Sequence, residues 1–126
     1  MITENKKFFV AGPFNGTEEE KEFRTKRIAE YCVKLFNDGF SPISALLMGL
    51  SFAKYGSLPI DTETWKKFSE NMLNGCSELH VLTLPGWDKS SGVKIEINRA
   101  LQMGLKIVYI NPNDFSVLPI AMRTEL

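Results

Sequence analysis

Short apolar runs alternate with longer amphipathic stretches along the 126 residues of the chain. Strand-like apolar runs cover 8–11, 40–43, 79–84 and 106–110. Apolar residues at helical spacing cover 17–38, 45–55, 61–74 and 90–103. Strands that alternate with helices favour a parallel sheet with helices on both faces. The pattern therefore predicts an α/β protein, a single-domain Rossmann-like (flavodoxin-like) three-layer sandwich with a parallel sheet of about four or five strands.

Residues with known capping preferences mark the ends of these helices. Thr17 is the predicted N-cap of the first helix, and Gly39 and Gly104 are the predicted stops of the first and last helices. Pro42 predicts a short or irregular second strand, because proline lacks a ladder donor. The chain has no linker or repeat, so we expect one domain over 1–126. We assign the buried face of the first helix to Ile28, Cys32, Leu35 and Phe36.

The charge balance argues against one class of partner. Fifteen Lys and Arg residues match fifteen Asp and Glu residues, so the chain has no basic excess with which to bind a polyanionic backbone. Duplex nucleic acid is therefore not an expected partner. The apolar runs are far shorter than the roughly 20 residues that cross a bilayer, and the first residues are polar rather than signal-like. We expect no membrane association and a cytoplasmic location.

Cysteine and histidine are too few and too scattered to suggest metal or redox chemistry. Cys32 and Cys76 form no paired motif and are expected to be buried structural thiols. His80 lies at the start of a strand, where a hydrogen-bonded or half-exposed side chain is the ordinary outcome. The sequence therefore predicts no metal site, no cofactor and no Ser-His-Asp triad.

The stretch from 84 to 96 is typical of an anion-binding site. Pro85 and Gly86 end an apolar strand, and a helix then begins at Ser90, Ser91 and Gly92. These residues offer hydroxyls and backbone N–H groups at the helix start. Such a start attracts anions through its unpaired donors and the positive end of its dipole. A phosphate or a ribose hydroxyl would fit there.

A second loop follows the first strand and begins with Gly12, Pro13 and Phe14. In an open parallel sheet, ligands bind beyond the carboxyl ends of the strands, near the point where the strand order reverses. We therefore expect this loop and residues 86–92 to converge on one pocket. Neither the Gly-x-Gly-x-x-Gly fingerprint nor the Gly-x-x-x-x-Gly-Lys phosphate loop is present, which disfavours a generic dehydrogenase or ATPase.

Glu96 is the candidate for chemistry in this pocket. We expect its carboxyl to be partly buried, with burial raising its pKa and the helix start and nearby hydroxyls favouring the charged form. The alternative is a first-turn glutamate that the helix dipole stabilises or that pairs with Lys94 or Arg99. Glu96 lies beside the face that we assign to the sheet, which carries Val93, Ile97, Ala100 and Leu101.

Three motifs spread over most of the chain carry a family resemblance. They lie at 9–14 (FVAGPF), 39–44 (GFSPIS) and 90–100 (Ser-x-Gly-Val-x-x-Glu-x-x-x-Ala), the third being the most specific. Together they resemble the nucleoside 2-deoxyribosyltransferase superfamily, which includes deoxynucleoside 5′-monophosphate N-glycosidases. Residues 58–61 (LPID), with Trp65 and Cys76, are similar to a small phage and bacterial branch of that superfamily.

The resemblance implies a role for Glu96 and for the residues before it. Glu96 matches the nucleophile that attacks the anomeric carbon, so a glycosyl ester would form and then be resolved. Ser90 and Gly92 match positions that hold the 5′-phosphate in the monophosphate glycosidases. The transferases tend to carry aspartate in place of Ser90, so a nucleoside 5′-monophosphate is favoured as the substrate. The resemblance also implies a homodimer or larger homo-oligomer.

Other residues near these loops have open assignments. Phe14 and Trp87 are candidates for stacking on the base, and core or rim packing is the alternative for each. Asp88 is a further candidate for substrate binding. The expected function is N-glycosidic bond cleavage or deoxyribosyl transfer. The alternatives are a catalytically inactive protein that binds or sequesters nucleotides, and a purely structural or interaction protein.

Two positions depart from the superfamily pattern. Phe9 stands where members often carry tyrosine, and Ser69 stands where they carry the partner aspartate. A second acid would therefore have to come from elsewhere in the chain. Asp61 and Glu70 are the first candidates, and Asp88 and Glu63 are the alternatives.

Overall fold

Four parallel strands form the centre of the computed structural model, which describes residues 6–57 and 61–119. The order across the sheet is β2-β1-β3-β4, and every pair of neighbours is parallel. The predicted α/β class and parallel four-stranded sheet are thus confirmed. The strands are β1 (Lys7–Ala11), β2 (Ser41–Ile43), β3 (Glu78–Leu82) and β4 (Lys106–Ile110).

The described chain has four α-helices, which cover both faces of the sheet. Because alternate residues of a strand point to opposite faces, Phe8 and Val10 of β1 pack with the first helix, whereas Phe9 and Ala11 pack with the third and fourth. This three-layer arrangement is consistent with a Rossmann-like fold. The helices are α1 (Glu18–Asn37), α2 (Ala45–Gly56), α3 (Thr62–Leu73) and α4 (Ser91–Met103), and a 3₁₀ turn (Trp87–Lys89) precedes α4.

The predicted caps are present at the helix ends. The Thr17 hydroxyl accepts a hydrogen bond from the Glu20 N–H (3.1 Å), and the Glu20 carboxylate accepts one from the Thr17 N–H (2.9 Å), which makes a capping box. Gly39 follows α1 with a φ of 94° and Gly104 caps α4 with a φ of 71°, the left-handed region that favours glycine. Pro42 lies in a three-residue edge strand, as its missing donor predicts.

Two residues assigned to buried helix faces are exposed instead. Phe36 is 71% exposed and Leu101 is 63% exposed, so both assignments were wrong. Each lies at the edge of the buried face of its helix. The residues four positions before them, Cys32 and Ile97, are only partly buried, and a further turn of about 40° around the helix points Phe36 and Leu101 to solvent. On α1 the buried face turns the other way and includes Tyr31.

The segment after β4 closes the edge of the sheet. Leu118 donates a backbone hydrogen bond to the Tyr109 carbonyl (2.8 Å), and Val117 forms an antiparallel bridge with Ile110. Residues 58–60, which carry part of the predicted break after α2 and part of the 58–61 motif, lie outside the described residues, as do 1–5 and 120–126. In the part of the chain that is described, no helix has the length and apolar character needed to span a bilayer.

Candidate active site

A cavity of about 300 Å³ lies at the carboxyl end of β1, on the face of the sheet that α2, α3 and α4 cover. β1 lies between β2 and β3, so the connections that leave these strands run to opposite sides, and this is where α/β sheets bind ligands. The end of β1, the loop after it, three helices and the turn into α4 all contribute. The lining residues include Gly12, Phe14, Leu46, Leu50, Asp61, Trp65, Lys66, Ser69, Ser90, Ser91, Gly92, Ile95 and Glu96.

Glu96 lies in the wall of this cavity and is almost fully buried. Its relative exposure is 9%, so Glu96 is more deeply buried than expected from the sequence. Burial raises the pKa of Glu96 to about 8, and a hydrogen bond from the Ser69 hydroxyl only partly opposes that rise. The balance therefore favours the neutral carboxyl at pH 7 in the absence of a ligand.

Among the described residues, Glu96 is not paired with Lys94 or Arg99, which was the alternative expectation. No ion pair between Glu96 and a lysine or arginine is present among them. Arg99 instead donates to the Gln102 side chain (3.4 Å). Glu96 is thus a buried acid with a hydroxyl and a cavity beside it.

Ser69 occupies a position that the sequence analysis treated as a missing acid. It is 8% exposed, lies on α3, and its hydroxyl reaches Glu96 on the neighbouring α4. Phe9, the other departure, is fully buried in the core beneath these helices. The polar partner of Glu96 in this chain is therefore a hydroxyl rather than a carboxylate.

The start of α4 faces the same cavity. The Ser90 side chain accepts a hydrogen bond from the Val93 N–H (3.3 Å) and so caps the helix. The N–H groups of Ser91 and Gly92, at the first two helical positions, have no acceptor within the helix. A Cβ at Gly92 would meet only the Ser90 hydroxyl, at 3.9 Å, so the backbone at this point lies open to an approaching group.

Trp65 forms part of the opposite wall, and its position depends on one glycine. A Cβ built on Gly49 of α2 would lie 1.5 Å from Cη2 of Trp65, so the indole packs directly on the helix backbone. This contact fixes the wall between α2 and α3. No local sequence pattern identifies Gly49 as the partner of Trp65, because the contact depends on how two helices pack.

Asp61 is an exposed residue that lines the cavity and caps the N-terminus of α3. Its carboxylate accepts hydrogen bonds from the Thr64 N–H (2.7 Å) and the Thr64 hydroxyl (2.9 Å). These bonds hold the pKa of Asp61 below its usual range, so it remains a carboxylate. Glu70, the other candidate for a second acid, is half-buried on α3 and is not among the lining residues.

The remaining candidate binding residues have different surroundings. Gly12 and Phe14 line the cavity. Pro13 is buried and Asp88 is exposed in the 3₁₀ turn, and neither lines it. Trp87 packs against Tyr109, with the ring centroids 5.4 Å apart, which corresponds to the packing alternative.

Arg24 of α1 joins the two loops of the site, and the sequence analysis missed it. Its guanidinium donates to the Pro85 carbonyl (3.0 Å) and to the carbonyls of Phe14 (3.5 Å) and Asn15. The side chain is only 12% exposed and also lies 3.6 Å from the Glu20 carboxylate. Arg24 therefore holds the loop after β1 against the loop after β3.

The other titratable side chains singled out from the sequence lie away from the cavity. His80 is buried on the α1 face, between Tyr31 and Glu78. Cys76 is buried and Cys32 is half-buried, and burial raises the pKa of both thiols. Within residues 6–57 and 61–119, no group of three or more His, Cys, Asp and Glu side chains is placed to hold a metal ion.

A family model matches most of the chain. No curated protein matches the chain. The family match extends from the residue before β1 to the residue after β4, so that it includes the whole sheet and the four helices. The match covers residues 6–111, and the chain therefore belongs to the family described as a domain of unknown function, DUF1937.

Proposed function

We propose that this protein cleaves or transfers the N-glycosidic bond of a (deoxy)nucleoside 5′-monophosphate, with Glu96 as the nucleophile. One observation carries the proposal. A buried carboxyl lines a cavity that the open start of α4 also lines. A single ligand could therefore contact both an acid and a group of anion-binding N–H donors.

The chemistry follows from the surroundings of Glu96. The ionised carboxylate attacks C1′ through an oxocarbenium-like transition state, and the bond to the base breaks. The electron pair of that bond goes to the base nitrogen, and a neutral base takes a proton from solvent as it leaves. Water or a second base then attacks C1′ and releases the carboxylate. The Ser69 hydroxyl donates to the carboxylate and restricts its orientation.

The helix start supplies the second half of the site. The N–H groups of Ser91 and Gly92 and the hydroxyl of Ser90 would bind the 5′-phosphate, which the positive end of the α4 dipole also favours. A serine at this position can donate to a phosphate, whereas an aspartate would repel it. This supports a nucleotide over a free nucleoside.

The test is the release of free base from a panel of deoxynucleoside 5′-monophosphates and deoxynucleosides, separated by chromatography. We expect Glu96→Gln to lower the rate by at least about 10³-fold, because the variant cannot form the glycosyl ester. In the wild-type protein the rate should rise with pH towards about 8, as Glu96 loses its proton.

A matched control distinguishes a loss of rate that is specific to Glu96 from a general loss of activity. Glu22→Gln makes the same chemical change at an exposed position of α1 and should leave the rate unchanged. Wild-type protein that releases no base, or a Glu96→Gln variant that is as fast as the wild type, would contradict the proposal.

A second candidate function is nucleotide binding without turnover. The protonation of one cavity acid and the hydrogen bonding of the other favour this function. Glu96 is mostly protonated at pH 7, and Asp61 is engaged by Thr64. A nucleotide that raises the melting temperature but yields no product would select this function.

We also propose that the protein forms a homo-oligomer. Helix α2 lines the cavity with Leu46 and Leu50 and exposes Met48, Phe52 and Tyr55 on its outer side. An exposed apolar stripe of this kind is typical of protein interfaces. Light scattering that gives a mass of 14.3 kDa, the mass of one chain, would contradict it.

A further inference from the structure

We propose that the base of the preferred substrate carries a positive charge, so that the substrate is an N-glycosyl pyridinium 5′-monophosphate. This inference depends on the proposed function and narrows its substrate class. It comes from two properties of the cavity: the charges that face Glu96 and the acids available to a leaving group.

Glu96 has no protein cation to balance its negative charge in the described residues. Two other charged side chains among the described residues line the cavity, Asp61 at the N-cap of α3 and Lys66 on α3, and both are exposed. Burial and Ser69 set the pKa of Glu96, without a contribution from any lysine or arginine. Arg24 turns to the loop carbonyls and Arg99 to Gln102.

A buried carboxylate without a cation is unfavourable, and a cationic ligand removes that cost. Most of the cavity wall is apolar, so the attraction between such a ligand and the carboxylate is only weakly screened. Trp65 adds an aromatic ring, which favours a flat cation. The Phe14 ring, which also lines the cavity, already has Lys21 Nζ 5.4 Å from its centroid. The cavity is therefore more complementary to a charged base than to a neutral one.

The leaving group gives an independent reason. A neutral purine or pyrimidine must gain a proton as it departs, and a general acid normally supplies it. Among the hydroxyl and carboxyl groups described in the lining, the serine hydroxyls are too weak as acids and Asp61 is already a carboxylate. A pyridinium needs no proton, because the electron pair of the broken bond neutralises its ring nitrogen.

The complete reaction balances without a further reagent. On binding, the Glu96 carboxyl releases its proton to solvent. Its oxygen forms a bond to C1′, the C1′–N bond breaks, and the electron pair goes to the ring nitrogen, which leaves as neutral pyridine. Water then attacks C1′, the ester bond breaks with its electrons returning to the carboxylate, and the second proton of water goes to solvent.

The binding test uses the carbocyclic analogue of nicotinamide mononucleotide, whose glycosidic bond is not cleaved, and its uncharged dihydropyridine form. Titration calorimetry at pH 7 in buffers of different ionisation enthalpy counts the protons released. We expect the cation to release close to about one proton per site and to bind roughly tenfold tighter than the dihydro form. Glu96→Gln should abolish both differences, and Glu22→Gln should preserve them.

The turnover test compares nicotinamide mononucleotide with the deoxynucleoside 5′-monophosphates under the same conditions. A kcat/KM at least roughly tenfold higher for the pyridinium supports the inference. Equal affinity of the charged and uncharged analogues without proton release overturns it. Glu96-dependent release of purine or pyrimidine bases at an equal or higher rate overturns it and leaves the proposed function standing. If neither class is bound or cleaved, both proposals fail.

Discussion

The two faces of the sheet each bury a titratable side chain, and the two side chains are partnered very differently. On the α1 face, His80 has a hydrogen-bond partner at each ring nitrogen. On the other face, Glu96 has the Ser69 hydroxyl and an open cavity. Buried polar groups in folded proteins are normally satisfied, so the incomplete one is the candidate for function.

Both ring nitrogens of His80 take part in hydrogen bonds, one as acceptor and one as donor. The Tyr31 hydroxyl donates to Nδ1 (2.6 Å), and Nε2 then donates to the Glu78 carboxylate (2.9 Å), a tautomer assigned from the hydrogen bonds. Phe8 stacks on the imidazole with the ring centroids 4.4 Å apart. This arrangement links α1 to β3 and leaves no donor or acceptor for a ligand.

The two groups also give the stability of the protein opposite dependences on pH. Burial lowers the pKa of His80, so its contribution is present above the unfolded pKa of about 6.5 and is lost as pH falls. Burial raises the pKa of Glu96 to about 8, so its contribution is present below the unfolded value of 4.5 and is lost as pH rises. We therefore expect the protein to be most stable at mildly acidic pH.

The largest effect is expected from removing the charge at the cavity. As pH rises from 5 to 8, the cost of ionising buried Glu96 should lower the free energy of unfolding. The decrease is up to about 1.4 kcal/mol per pH unit, or about 4 kcal/mol over the whole range. Glu96→Gln should remove this decline and be more stable than the wild type at pH 8. Urea unfolding at several pH values measures it, with the exposed Glu63→Gln as the control. Identical pH slopes for Glu96→Gln and the wild type would refute this account of Glu96.

A smaller effect is expected from disturbing the cavity wall while the His80 face is left intact. Gly49→Ala forces its new methyl group into the Trp65 ring and should cost about 1–3 kcal/mol. Gly56→Ala makes the same change on the same helix where no atom lies within 4 Å. It should be neutral or slightly stabilising. Thermal unfolding compares the two, and a loss of stability in Gly56→Ala equal to that in Gly49→Ala would rule out the packing explanation.

The smallest effect is expected on the opposite face. Tyr31→Phe removes the hydroxyl that donates to His80 and should cost about 1–2 kcal/mol, because the ring nitrogen is left buried without its donor. Ligand binding at the cavity should not change. Glu22→Gln, at an exposed position of the same helix, is the control. Chemical unfolding and titration with a nucleotide measure the two properties, and altered ligand affinity in Tyr31→Phe would show that the faces are coupled.

Local signals explain why so much of the fold was predictable. The N-cap at Thr17 and the glycine stops at Gly39 and Gly104 depend on residues close in sequence, and all three lie where they were expected. The approximate place of Glu96 followed from helical spacing and from the tendency of open sheets to bind ligands beyond their strand ends.

The rest depends on contacts between distant parts of the chain. The packing of Trp65 on Gly49 has no local signal, because it is set by the angle between two helices. The degree of burial of Glu96 was underestimated for the same reason, and with it the protonation state at neutral pH. Ser69 was interpreted as a loss because its distance from Glu96 could not be known from the sequence.

The contacts of Arg24 connect parts of the site that are far apart in sequence. Its partner Pro85 is 61 residues further along the chain, in the loop that follows β3, and β3 pairs with β1 in the sheet. Local structure such as α1 can form early, whereas contacts of long sequence separation form late. The mouth of the cavity therefore depends on contacts of long sequence separation, and a chain that ends before β3 lacks one of the two loops that Arg24 joins.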